Sequence, residues 1–490
     1  MDERLDEVLA RRAATGDEAR PDAVAARHAA GRRTARESLA GLLDEGTFVE
    51  YGGLAVAAQR SRRPLAELRE RTPADGVVLG TGRIGGVRAA AMAYDYTVLA
   101  GTQGLTGHRK TDRLFDVAHR EGLPVVLFAE GGGGRPSDTD HMTVAALELT
   151  TFAAFARLRT LRVGVAAGYC FAGNAALLGT CDVTVGVTGA NVGMGGPAMV
   201  DAAGLGTVAP EEIGPLDVHL RTGTVDVEAA DDAAAVEVAR RVVGYAYGPD
   251  GDGAAGDQAA LREVVPESRR RAYDVRDVVT TLFDTGSVTE LRARHGRNVV
   301  TAFARLAGRA VGVLANNPKH GAGAIDATAA AKAARFLTLC DRLGLPVVSL
   351  VDTPGIMVGP AAEETGLVRA VGDLFNAGAA LRAPLLTVVL RKAYGLGAMA
   401  MSGGSLHAAR LTLAWPTGEI GAMGLEGAVR LAFRKELAAI ADDEERRERE
   451  AALVALAYEH GTALSAAAGF ELDDVVDPAA TRDLLANALA

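Results

Sequence analysis

Aromatic residues are scarce in this 490-residue chain, at 4% with a single tryptophan. Its core must therefore be built from Ala, Val and Leu, with backbones packed closely where glycine allows. Cysteine is rarer still: Cys170, Cys181 and Cys340 have no metal-ligand spacing, so no metal centre is expected and the three read as buried thiols. No apolar run reaches the roughly 18–20 residues that span a bilayer, and the first residues, MDERLDEVLARR, are charged from the second onward. The expected setting is cytoplasmic, with no membrane partner. Excess positive charge is also missing: a net charge of −10 argues against a nucleic-acid partner. Neither the Walker string Gly-x-x-x-x-Gly-Lys-Ser/Thr nor a dinucleotide fingerprint appears in a strand-to-helix setting, and no Gly-x-Ser-x-Gly elbow is present.

What is present is a repeat. Lys110 to Val126 reads KTDRLFDVAHREGLPVV and Lys332 to Val348 reads KAARFLTLCDRLGLPVV, an offset of 332 − 110 = 222 residues. Each copy is an amphipathic helix feeding Gly-Leu-Pro-Val-Val, and the offset is close to half the chain, which implies two homologous domains. The repeat extends upstream, where the strand pairs Gly76–Gly86 with Ala89–Asp95 and Asn298–Arg309 with Ala310–Ala315 are expected. Thr34-Ala35-Arg36-Glu37 reads as a capping box opening a helix through Leu43. Further strands are expected over 161–167 and 385–390. Strands alternating with helices indicate an α/β layer. The run from Gly248 to Asp257 has linker composition, which places one domain at 1–248, a linker at 249–258 and a second domain at 259–490.

After each repeated strand comes a turn able to present backbone N–H groups: Glu130-Gly131-Gly132-Gly133-Gly134-Arg135 in the first half, Asp352-Thr353-Pro354-Gly355 in the second. Glycine lets a ligand approach the backbone, and amides at a strand-to-helix turn favour developing negative charge. A second small-residue turn follows in each half, Gly168 to Ala175 and Lys392 to Ala398. The side chains that usually attract catalytic readings are weaker candidates. His320 is a lone loop histidine, and Cys170 lacks an obvious activating base. Ser402 and Ser405 lack an elbow, and Trp415 reads as core. The basic groups Arg32-Arg33 and His108-Arg109-Lys110 could meet a phosphate, although a solvated face is the simpler reading.

At this point the residues resemble the carboxyltransferase β subunits of biotin-dependent acyl-CoA carboxylases, within the crotonase superfamily. The resemblance runs from about Gly31 to Arg482. It is carried by Ala315-Asn316-Asn317-Pro318, Lys332-Ala333-Ala334-Arg335-Phe336, Val351-Asp352-Thr353-Pro354-Gly355, Arg391-Lys392-Ala393-Tyr394-Gly395 and Leu413-Ala414-Trp415-Pro416-Thr417-Gly418-Glu419-Ile420. It implies tandem crotonase (ClpP/crotonase-like) domains, each a layered β-sheet core wrapped by helices. It also implies an N-half that holds acyl-CoA and a C-half that holds N-carboxybiotin, meeting across a subunit contact in a dimer or a trimer of dimers. The implied partners are an acyl-CoA substrate and a biotin carboxylase with its biotin carrier protein. No ATP-grasp domain is recognisable, and the nearest string to the biotin-attachment Ala-Met-Lys-Met, Ala398-Met399-Ala400-Met401, lacks its lysine.

In that chemistry carboxybiotin yields CO₂ and a ureido anion, which takes the thioester α-proton, and the resulting enolate attacks CO₂. Charge develops twice on a carbonyl oxygen, so two preorganised sets of N–H donors are required and no side-chain base is. Carried over from the family, the N-half donors fall at Ala172 and Gly173, with Gly133 and Gly134 lining the thioester. The C-half donors fall within Gly395, Leu396 and Gly397, with Tyr394 beside them. Three departures from the family pattern stand out. Phe171 borders the acyl pocket where relatives have a smaller residue, Leu396 must point its side chain away from biotin, and Met399 occupies a position that selects substrate in some relatives. Two other readings keep the fold: a biotin-free decarboxylase or other CoA-thioester enzyme using the same oxyanion holes, and a non-catalytic scaffold subunit.

Overall fold

The computed structural model describes residues 3–140, 147–269 and 271–490. The chain forms two compact units, Met1–Pro249 and Asp250–Ala490. The segment expected to be a linker is no free tether, because it is bonded to the second unit. Gly251 N–H donates to Gly308 O at 2.8 Å, Thr285 N–H to Ala254 O at 2.9 Å, and Gln258 Nε2 to Thr281 O at 2.7 Å.

The first unit is built on strands β1 (Val49–Glu50), β2 (Val77–Ile84), β3 (Val87–Tyr94), β4 (Val125–Phe128), β5 (Arg162–Ala166), β6 (Tyr169–Phe171), β7 (Val183–Val187), β8 (Asn191–Gly193) and β9 (Val227–Ala229). Its seven-stranded sheet has the order β1-β2-β3-β4-β5-β7-β9, while β6 and β8 form a separate pair. The β2–β3 hairpin closes over Gly85 and Gly86, both at positive φ (56° and 81°), as the twist of a two-residue turn requires. From β3 onward the strands are parallel, and β4 is buried along its whole length, as expected for a parallel strand covered on both faces. The helix Leu105–Glu121 connects β3 to β4 and ends on Gly122 in the left-handed conformation at φ 64°. Its Phe115 stacks on Phe155 with centroids 4.8 Å apart. The capping box at Thr34 forms as expected, with Glu37 N–H donating to Thr34 Oγ1 at 3.0 Å and Thr34 N–H to Glu37 Oε2 at 2.8 Å.

The second unit repeats the plan with β10 (Thr289–Leu291), β11 (Val299–Leu306), β12 (Arg309–Asn316), β13 (Val347–Thr353), β14 (Leu385–Tyr394), β15 (Leu411–Ala414), β16 (Glu419–Gly421) and β17 (Asp474–Val475). The path is β10-β11-β12-β13-β14-β15-β17, with β16 paired to β14. Here β14 runs unbroken where the first unit divides into β5 and β6. In the first unit Gly168 lies at that break, and a Cβ there would sit 2.1 Å from Glu130 Oε1.

The duplication reaches into polar contacts that periodicity could not show. Arg36 pairs with Glu50 at 3.0 Å and Arg276 with Glu290 at 2.6 Å. Asp44 accepts from the amides of Gly85 and Gly86 and from Arg240, while Asp284 accepts from those of Ala307 and Gly308 and from Arg482. Lys110 and Lys332, the heads of the two repeated helices, are both buried. Lys110 Nζ donates to Ala74 O and Val77 O, each at 2.6 Å, and Lys332 Nζ donates to Val299 O at 2.7 Å and His295 O at 2.9 Å. The solvated or phosphate-facing reading of His108-Arg109-Lys110 is thereby corrected for its lysine and histidine, since His108 is also buried, against Thr151 Oγ1 at 2.9 Å. A lysine whose ammonium donates to backbone carbonyls can head a repeated helix from inside.

Candidate functional site: two backbone amide clusters

In the first unit the strand β4 delivers the chain into the glycine turn, and the turn lies against the N-terminus of the helix Gly173–Gly179. The contact is close enough to exclude side chains: a Cβ on Gly133 would lie 2.6 Å from Ala172 Cβ and 3.5 Å from Gly173 N. Gly133 itself is at φ 88°. Its carbonyl accepts from Gln103 N–H at 2.7 Å, and Gln103 O accepts from Arg135 N–H at 2.8 Å. Those two bonds straddle Gly134 and leave its exposed N–H with no partner among the described residues. Gly173, the first residue of its helix, likewise has an amide with no partner among the described residues, as first-turn amides do unless capped.

Ala172 is a correction. Its N–H donates to Gly193 O at 2.9 Å, so that amide is already used in joining the turn to β8. Where the turn meets the helix start, Gly134 and Gly173 have amides with no partner among the described residues. The Phe171 ring is buried, stacked on Tyr169 at 5.8 Å and covered by Gly193 and Gly196, where a Cβ on Gly196 would come within 3.2 Å of the ring. It supports the Gly193–Gly196 segment and is not an open wall.

The second unit reproduces this geometry. Gly355 matches Gly133 (355 − 133 = 222) and Gly395 matches Ala172 (395 − 172 = 223), the extra residue entering between β13 and β14. Ala172 and Gly395 share a positive φ, 50° and 55°. Gly355 O accepts from Ile325 N–H at 3.0 Å and Ile325 O from Met357 N–H at 2.9 Å, leaving the Ile356 amide between them without a partner among the described residues. Leu396, the match to Gly173, also has a first-turn amide with no partner among the described residues, and the residue is 59% exposed. Gly397 is buried, and a Cβ there would lie 2.6 Å from Gly355 Cα. Met399 lies on the exposed side of the same helix.

Tyr394 needs a correction as well. Its ring is 3% exposed, its hydroxyl donates to Glu419 Oε2 at 2.7 Å, and burial together with that carboxylate raises its pKa far above the usual tyrosine value. The side chain is a pillar under the helix, so this residue offers a ligand only backbone.

The other side chains singled out in the sequence are placed for packing more than for chemistry. Cys170 is fully buried, and burial pushes its thiol well above the ordinary range. Ser402 Oγ donates to Ala398 O at 2.9 Å and Trp415 Nε1 to Thr481 Oγ1 at 2.9 Å, both in the interior. His320 is held below its usual pKa, chiefly by burial and by nearby arginines, with no carboxylate bonded to its ring among the described residues. Glu130 is raised chiefly by burial and is held by Arg27, whose Nη2 lies 2.6 Å from Oε2. No group of His, Cys, Asp and Glu able to hold a metal exists among the described residues. No helix among them is long and apolar enough to cross a membrane. Three residues to which the sequence assigns no role of their own hold the glycine turns: Gln103 and Asn174 bond to the first turn, and Thr353 bonds within the second. The readable signal was Asn174, an amide set in the apolar run Ala175-Ala176-Leu177-Leu178, where burial demands a partner.

Two copies of a parallel-rich sheet, each followed by a glycine turn packed on a helix start, define a tandem crotonase-like enzyme. The chain belongs to the carboxyl transferase family: the carboxyl transferase domain matches residues 26–490. It is a carboxyltransferase of the biotin-dependent acyl-CoA carboxylase kind. It is 34% identical over 476 residues to the methylmalonyl-CoA carboxyltransferase 12S subunit of Propionibacterium freudenreichii subsp. shermanii, covering 94% of this chain and 89% of that one. It is 33% identical to the propionyl-CoA carboxylase beta chain of Saccharopolyspora erythraea, covering 95% and 89%. Among solved structures, a single-chain, multi-domain long-chain acyl-CoA carboxylase is 52% identical with a TM-score of 0.93. The match covers all of this chain, which spans 50% of that neighbour's length. The transcarboxylase 12S hexamer with methylmalonyl-CoA bound gives 32% identity and a TM-score of 0.87.

Proposed function

We propose that this chain is the carboxyltransferase subunit of an acyl-CoA carboxylase. In this reading the first unit holds the acyl-CoA, the second receives carboxybiotin from a separate carrier subunit, and copies of the chain assemble so that both half-sites are supplied. The observation that carries it is the matched pair of free amides, Gly134 with Gly173 and Ile356 with Leu396. The second half-site fits a small planar ureido ring, because Gly355, Gly395 and Gly397 replace side chains with bare backbone around the Leu396 amide. When bound, carboxybiotin supplies the CO₂ and the base that receives the α-proton.

What the chain contributes is then positional. Gly134 and Gly173 point two N–H groups at the thioester oxygen and hold the charge that grows there as the α-proton leaves. Ile356 and Leu396 do the same for the oxygen of the ureido carbonyl. Removing one such donor costs about 2.7–4 kcal/mol of transition-state stabilisation, or roughly 10²–10³ in rate. Glu130 and Asp352, the carboxylates nearest the turns, are committed to Arg27 and to Arg391 and Lys392, so neither serves as base.

The test is labelled bicarbonate fixation by the purified chain with a biotin carboxylase, its biotinylated carrier and ATP, across acyl-CoAs from acetyl-CoA to a long-chain thioester. The range is wide because the neighbours' names run from propionyl to long-chain substrates. Carrier-dependent label in an acyl-CoA is expected. No fixation with any thioester, together with no transfer from malonyl- or methylmalonyl-CoA to free biotin, would reject the assignment. Turnover of a malonyl thioester without biotin would instead support the biotin-free decarboxylase.

A further inference from the structure

The two half-sites hold their turn glycines by different means, and the difference is reciprocal. In the first unit Gly133 N–H donates to Asn174 Oδ1 at 3.0 Å. Asn174 is fully buried, and its Nδ2 faces Gly101 O at 3.4 Å and Glu130 O at 3.5 Å, so one carboxamide reaches the turn, the strand end before it and the loop beneath it. In the second unit Gly355 N–H donates to Thr353 Oγ1 at 3.1 Å, a bond made within the turn itself. Thr353 stands where the first unit has Gly131, and Gly397 stands where the first unit has Asn174.

Neither arrangement can be exchanged. A Cβ on Gly131 would lie 2.1 Å from Gly101 O and 2.6 Å from Asn174 Nδ2, and one on Gly397 would lie 2.6 Å from Gly355 Cα. Each half therefore carries one side chain for this task and a glycine at the alternative position. The placement in the first unit matters most, because Asn174 follows the donor Gly173 and its bond partner Gly133 precedes the donor Gly134. Its carboxamide spans the two elements whose amides must converge.

We infer that Asn174 is a positioning residue that fixes the distance between the Gly134 and Gly173 amides, and that Thr353 does the corresponding work for Ile356 in the second half. This rests on the reading of those amides as oxyanion donors. Loss of the tether leaves Gly133 N–H unsatisfied and frees the turn from the helix, so the donors no longer converge on one oxygen. CoA affinity, which depends on the rest of the thioester, is unaffected.

The experiment follows carboxyl transfer from malonyl- or methylmalonyl-CoA to free biotin, with CoA affinity measured in parallel. Asn174→Ala is expected to lower kcat by about 10–100-fold with KM within about threefold, the split that marks an interaction realised in the transition state. Asn174→Asp provides the discriminating readout. Its carboxylate still accepts from Gly133 N–H but repels Gly101 O and Glu130 O and places charge beside the donors. Its protonated form restores both donor and acceptor. Activity relative to wild type at the same pH should therefore rise as pH falls from 8 to about 5.5, while Asn174→Ala shows no such rise. The other ionisable groups around this position, Glu130 with Arg27, Arg135 with Asp75, Tyr94 and Cys170, are common to all three proteins and cancel in the ratio. Recovery at low pH also shows that the variant is folded. Thr353→Val should depress transfer and Thr353→Ser should restore it.

Wild-type kcat in Asn174→Ala, or an Asn174→Asp profile parallel to that of Asn174→Ala, overturns the inference. Replacing the donors themselves separates the two ideas. If Leu396→Pro and Gly173→Pro lose transfer while Asn174→Ala does not, the donors stand and the tether falls. If the proline variants retain full transfer, the donor reading falls first.

Discussion

Ala172 occupies φ 50°, ψ −117°, a conformation that a residue with a Cβ adopts only under strain of about 1–3 kcal/mol. Its partner in the second half is glycine, and its amide is held by Gly193 O. Ala172→Gly should raise stability by about 1 kcal/mol and leave carboxyl transfer intact, read as a higher urea midpoint; a lower midpoint would show that the alanine is unstrained. A second reserve lies in β13 and β14, where Ser349 and Thr387 face each other in register with both hydroxyls buried and unpartnered among the described residues. Thr387→Val should stabilise the chain by about 1 kcal/mol, because it removes a buried unsatisfied group at constant shape; destabilisation would mean the hydroxyl has a partner such as a buried water. At this scale the sequence was only partly legible. The turns mark where backbone donors belong and the family resemblance points to Gly173 and Leu396 within them, but local sequence does not exclude Ala172 as a donor, because its bond to Gly193 O joins residues that no local pattern connects. Tyr394 was misjudged for the same reason, since its partner Glu419 is distant in sequence.

Among the elements, the repeated helices were readable from their apolar period and their Gly-Leu-Pro-Val-Val exits. What the period concealed was the lysine at the head of each. Lys110 is buried against carbonyls, and burial lowers its pKa from 10.5 to about 8. Between those values the unfolded chain holds a proton that the folded chain has released, so the stability contributed by this group is lowest below pH 8 and rises up to about pH 10.5. Lys110→Met should therefore compare best with wild type near pH 7.5 and fall progressively behind it towards pH 10, as measured by urea midpoints. A constant difference across that range would contradict the burial argument. The glycine turns also behave as elements. Gly133→Ala keeps every donor N–H but drives a Cβ to 2.6 Å from Ala172 Cβ at a left-handed φ, so transfer should fall at least tenfold while both cores stay folded by circular dichroism. Unchanged transfer would show that the turn and the helix start need not touch.

For the whole molecule, duplication explains both the length and the chemistry. Each unit has its own sheet and core, and each repeats the ion pair, the aspartate under the hairpin and the buried lysine. That repetition was legible from two segments 222 residues apart, whereas the one-residue shift after β13 was not, because it falls where the copies share no motif. It is this shift that pairs Gly173 with Leu396. In the proposed function, the amides at these paired positions carry the catalysis. Leu396 tests it cleanly: the native residue already has a Cβ, lies in the first helical turn where proline is tolerated, and follows a glycine. At Gly173 a new Cβ would meet Gln103 Oε1 at 2.2 Å, so that position needs Gly173→Ala as a steric control. The decisive measurement is the single-turnover rate of carboxyl transfer from malonyl-CoA to free biotin by Leu396→Pro beside Leu396→Ala. The alanine variant should transfer at close to the wild-type rate and the proline variant about 10²–10³ times more slowly with CoA binding intact. Equal rates in the two variants would contradict it.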